Sequence, residues 1–95
     1  MFKSTISYTN EKFLITNDPP MKLAMDVLPI LTKNGKITIK GKDESCPVTV
    51  SVANIITQNI LSGTTKTENI SVDSEILDDG RLISTIEIVI TKINS

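Results

Sequence analysis

The chain has no histidine, no tryptophan and a single cysteine among its 95 residues. Without histidine there is no Ser–His or Cys–His nucleophile pair. Cys46 alone can close no internal disulfide and cannot build a cysteine-rich zinc site. Aromatic residues make up only 3% of the chain. Phe2, Tyr8 and Phe13 are too few and too scattered for a platform on which bases stack. Long apolar runs are also missing; none approaches the roughly 20 residues of a membrane span. The opening Met1-Phe2-Lys3-Ser4-Thr5 has no stretch of signal-peptide type. The only adjacent carboxylate pairs, Asp43-Glu44 and Asp78-Asp79, read as solvated turns and not as a metal site. The composition therefore argues against an enzyme, a cofactor, a metal site, a membrane partner and secretion.

What is present is an ordinary globular composition, 39% hydrophobic and 22% charged. The length fits one domain, taken as 1–95, and not two. Ten basic residues (nine Lys and one Arg) face eleven acidic ones, a formal net charge of −1. Such a balance gives no global attraction to nucleic acid. The distribution is uneven, however. Lys33, Lys36, Lys40 and Lys42 have no acid between them, and Asp73, Glu75, Asp78 and Asp79 have no base.

Residues 1–11 are polar with weak alternation and read as an extended or flexible arm. Phe13-Leu14-Ile15-Thr16 reads as a short strand ended by Asn17-Asp18-Pro19-Pro20. Asp18 before two prolines is a helix-start signal. Leu23, Val27, Ile30 and Leu31 then share one helical face, and Asn34-Gly35 ends the helix. Pro29 inside that pattern predicts a kink. Lys36 to Lys40 alternates strictly, with Ile37 and Ile39 on the core side. Gly41 to Ser45 reads as a loop.

The segment Pro47 to Leu61 is ambiguous. Val48, Val50 and Val52 alternate like a strand, and β-branched residues are weak helix formers. Val48, Val52, Ile55 and Ile56 also have helical spacing, with Ser45 as a cap and Gly63 as a stop. Some 15 residues without a breaker exceed a usual strand. Thr64 to Leu77 and Leu82 to Ile93 pair as a long hairpin around Asp78-Asp79-Gly80. In its first strand Ile70, Val72 and Ile76 lie on one parity; in its second Ile86, Ile88 and Ile90 point one way and Thr85, Glu87 and Thr91 the other.

Asp79-Gly80-Arg81 followed by Ser84-Thr85-Ile86-Glu87-Ile88-Val89-Ile90-Thr91-Lys92 resembles the terminal strand of the Alba family. Its members are small nucleic-acid-binding proteins. Ile37-Thr38-Ile39-Lys40-Gly41-Lys42 resembles that family's second strand and the loop after it. The resemblance spans about residues 12–93. It implies that 47–61 is a helix. It also implies an α+β, β-α-β-α-β-β fold, a four-stranded mixed sheet with two helices on one face. A dimer through the second helix, with itself or another Alba-like chain, is implied too. So is binding of RNA or duplex DNA in a cytoplasmic, nuclear or nucleoid setting. Related eukaryotic proteins are subunits of ribonuclease P and MRP particles.

The chain departs from the family's pattern in three places. The loop before the first helix, Asn17-Asp18-Pro19-Pro20, lacks the lysine pair of archaeal members. The loop after the second strand, Lys42-Asp43-Glu44, keeps one base and has an acid for the other. The hairpin, basic in many members, carries Asp73, Glu75, Asp78 and Asp79, which repel phosphate.

Lys40 and Lys42 are the first candidates for phosphate contact, with Lys36 on the same strand face. Lys22 on the first helix and Arg81 near the hairpin tip are supporting candidates. Arg81 could equally hold the turn through Asp78 or Asp79, and Lys12 reads as solvated. Cys46 reads as a small apolar residue at a helix start. Two functions follow. One is a dimeric binder of the nucleic-acid backbone. The other is a degenerate subunit that pairs with a more basic chain in a ribonucleoprotein or chromatin complex.

Overall fold

A computed structural model describes residues 12–93. The expected arm at 1–11 lies outside the described residues. The elements are strand β1 (Phe13–Leu14), helix α1 (Pro20–Asn34), strand β2 (Lys36–Lys42), helix α2 (Cys46–Ile55), and the long strands β3 (Thr65–Ile76) and β4 (Leu82–Lys92). The sheet order is β1-β2-β4-β3. β1 runs parallel to β2, and the other two pairings are antiparallel. The sheet is thus mixed, and the element order is the one expected.

One face of the sheet is covered. Ile37 and Ile39 of β2 and Ile86, Ile88 and Ile90 of β4 point to it and are buried against Leu23, Ala24, Val27 and Leu31 of α1 and Val52 and Ala53 of α2. Ile30, expected in this core, is 37% exposed, and Ala24 takes the place. At about 100° per helical residue, Ile30 falls just beyond Leu23, outside the arc from Leu23 to Ala24.

Several boundaries differ from expectation. α1 has Pro19 in the cap position and no side-chain cap. Each residue before a proline is pushed to extended dihedrals. Asp18 therefore sits one residue too far out, where its carboxylate accepts from Thr16 Oγ1 at 2.8 Å. The helix continues through Pro29 and ends at Gly35, whose φ of 78° suits glycine. β2 continues to Lys42, since Gly41 and Lys42 pair with Ile86 and Thr85 of the longer β4. Asp43–Ser45 then form one 3-10 turn into α2, and Ser45 makes no cap bond.

Segment 47–60 is helical, and Leu61, expected inside the helix, lies just past its end. α2 runs on into a π-helical turn, Ile56–Ile60. Its burial explains the choice. Thr49, Val52, Ala53 and Ile56 form a continuous buried stripe against the sheet. Gly41 permits the close approach. A Cβ on Gly41 would collide with Thr49 Oγ1 and the Ser45 carbonyl.

β3 carries a bulge. Its register jumps between Thr67 and Asn69, leaving Glu68 as the extra residue. Beyond the bulge the hairpin outruns the helices. Ile70, Val72 and Ile76, with Leu82 of β4, point to the helix side yet stay exposed.

Candidate nucleic-acid interface

The sheet face that no described helix covers carries the candidate lysines. Alternation along β2 puts Lys36, Thr38, Lys40 and Lys42 there, opposite the buried Ile37 and Ile39. The row from Lys36 to Lys42 spans about 20 Å at the usual strand rise. Each of its lysines meets a carboxylate of β3 or β4. Lys36 Nζ lies 3.2 Å from Glu68, Lys40 Nζ 3.7 Å from Glu87, and Lys42 Nζ 3.1 Å from Glu75.

Glu87 is shared. Lys12 donates to it at 2.8 Å, and Lys40 stands directly across from it in the β2–β4 register. Lys12 is therefore paired and not simply solvated. The hydrogen bond from Lys12 holds the Glu87 carboxyl below the usual glutamate range; partial burial opposes this and the Lys40 charge assists. Position alone could have flagged Lys12, which shares its parity with Leu14, the β1 neighbour of Lys40.

The other two candidates lie on other elements. Lys22 donates to Asp26 one turn along α1 at 3.1 Å. That bond raises the lysine above its ordinary value, helped by the charges of Asp26 and Asp18. At the hairpin turn, the Arg81 backbone N–H and Nε donate to the two oxygens of Asp79 at 3.0 and 2.9 Å. The backbone donor, and then the guanidinium, hold Asp79 below its usual value. Arg81 holds the turn.

The five predicted cations therefore form no single patch. Lys40 and Lys42 share one end of the open face, Lys36 marks the other, and Lys22 and Arg81 stand apart. The loops around Asn17 and Ser45 meet at the Lys42 end, where Ser45 Oγ donates to Asn17 Oδ1 at 3.2 Å. The hairpin projects from the same end. There Asp18, Asp43, Glu44, Asp73, Asp78 and Asp79 are exposed.

Among the described residues no three His, Cys, Asp or Glu side chains come together. Cys46 is half-buried with its Sγ 3.7 Å from the carbonyl oxygens of Gly41 and Ser84, a weak donor in a packing position. No described helix is long and apolar enough to cross a membrane.

Comparison with known proteins agrees with this fold. Among solved structures, Alba from Thermoplasma volcanium is similar at a TM-score of 0.74 and 26% identity, over 85% of this chain and 99% of that one. No curated protein matches. The model of the Alba family matches residues 11–74, which includes the β2 segment and stops short of the Ser84–Lys92 strand. The chain belongs to the Alba family.

Proposed function

We propose that this chain binds RNA or duplex DNA through the sugar–phosphate backbone, without reading bases, as a dimer with itself or with another Alba-like chain. The observation that carries the reading is the lysine row on the open face of β2, in a protein of this family. Lys40 and Lys42 contact phosphate from the open face, Lys36 extends the row, and Lys22 and Arg81 support it from neighbouring elements. A phosphate oxygen replaces the carboxylate on each lysine. Exposed pairs of this kind are worth only about 0–1 kcal/mol, so the exchange costs little, and binding is modest. The one aromatic among the described residues, Phe13, packs against the core, and the lysines engage phosphate as point charges, so sequence goes unread. This reading assigns no catalytic step.

Dimerisation has its own support. Val50 on α2 and Ile60 in its extension are exposed large apolar residues. A domain this small gains from covering such surface with a partner.

The test is anisotropy of labelled duplexes and structured RNAs of unrelated sequence at low salt. Equal affinities across sequences, weakened in Lys40→Ala and Lys42→Ala, are expected. A strong preference for one sequence contradicts backbone contact.

A second reading is favoured by one observation: all five candidate cations already hold a carboxylate. In that reading the chain binds poorly alone and pairs with a more basic Alba-like chain within a ribonucleoprotein or chromatin complex. Its mark is affinity that appears only when such a chain is added.

A further inference from the structure

Six of the nine described cations sit in ion pairs; Lys33, Lys66 and Lys92 have no carboxylate partner among the described residues. The sequence scatters these three over 60 positions, but the fold gathers them. Lys66 of β3 and Lys36 of β2 flank Thr91 of β4 in one cross-strand row. Adjacent strands lie about 4.8 Å apart, so the two lysines project from backbone about 10 Å apart on the open face. Lys92 follows Thr91, and its N–H donates to the Gly35 carbonyl at 2.9 Å. Lys33 lies in the last turn of α1, two residues before Gly35. The four ammonium groups thus wrap one end of the sheet, all on exposed side chains. Glu68 is the only described carboxylate seen pairing there, and it takes Lys36.

The opposite end holds the two loops and the acidic hairpin. The molecule is therefore polarised along β2, although its net charge is only −1. A polyanion approaching such a field is turned toward the lysine end and repelled from the hairpin. An unpaired lysine also has no carboxylate to release before it meets a phosphate.

We propose that the sheet end formed by Lys33, Lys66 and Lys92, with Lys36, is a nucleic-acid-backbone contact, at the far end of the fold from the loops and the hairpin. This rests on the reading that the chain binds nucleic acid, and it names the surface that supplies most of the attraction. The ligand is a run of phosphates, engaged as point charges with no base contact.

Two triple variants of the full chain separate the surfaces: Lys33→Gln/Lys66→Gln/Lys92→Gln and Lys22→Gln/Lys40→Gln/Lys42→Gln. Both remove three positive charges, so a difference between them reports place and not net charge. All six side chains reach solvent, and circular dichroism checks that both variants fold. The probes are a 20-base-pair duplex and a structured RNA, titrated by anisotropy from low salt upward. The first triple is expected to lose about ten-fold or more in affinity, with the log–log salt slope shallower by about two to three. The second is expected to lose less. A larger or equal loss in the second triple overturns this proposal while backbone binding stands. No binding by the unaltered chain overturns both. Salt-sensitive self-association without nucleic-acid binding, abolished by Asp78→Asn/Asp79→Asn, overturns it in favour of the acidic hairpin of a second copy as occupant.

Discussion

Glu87 shows how much one side chain sets on the open face. It faces Lys40 across the β2–β4 pairing and draws in Lys12 from ahead of β1. Its carboxyl is depressed, first by the Lys12 hydrogen bond. A depressed acid stabilises the fold above the ordinary glutamate range, about pH 4.3, and that contribution is lost as pH falls through the folded value. For a pair this exposed it stays under about 1 kcal/mol. Lys12→Met should raise the Glu87 midpoint toward the ordinary value in a carboxyl-carbon NMR titration. A midpoint that stays in place would show that Lys12 does not hold it. The residue types of the open face were legible from the alternation in 36–40. Their partners were not, because Glu68, Glu75 and Glu87 come from strands whose register no local pattern states.

At the scale of elements, α2 packs closely on β2 at Gly41. Gly41→Ala should destabilise the fold by about 2 kcal/mol or more, since the new methyl meets Thr49 Oγ1 and the Ser45 carbonyl. Urea unfolding measures it, and an unchanged midpoint contradicts the packing described. Thr49→Ala in the same chain should recover part of the loss. The hairpin gives the opposite case. Ile88→Ala in the core should cost about 2–5 kcal/mol, whereas Ile76→Ser, 72% exposed, should stay within about 0.5 kcal/mol in dilute solution. A large loss in Ile76→Ser that deepens with protein concentration would place the hairpin in a subunit interface.

Sequence patterns alone found the strand at 36–40, the hairpin turn and the first helix, where period and punctuation agree. They left 47–61 open because its β-branched residues favour a strand locally while burial of Thr49, Val52, Ala53 and Ile56 favours a helix. Only the resemblance chose between them. The bulge at Glu68 was invisible for a related reason. It shifts the inward parity from Thr65 and Thr67 to Ile70 and Val72, so no single alternation runs through β3.

At the scale of the molecule, charge is sorted by the fold and not by the composition. A near-neutral chain becomes one with a lysine-rich end and an acid-rich end, because β2 and β4 run antiparallel and the hairpin overshoots one way only. The basic segment at 33–42 was visible in the sequence, but Lys66 and Lys92 join it only through strand pairing. The measurement that bears most directly on backbone binding is a salt titration of the unaltered chain on duplex DNA and structured RNA. Binding at low salt is expected, with a log–log slope of about −2 to −4, as a few phosphate contacts require. Affinity that is absent at low salt, or indifferent to salt, would contradict backbone binding.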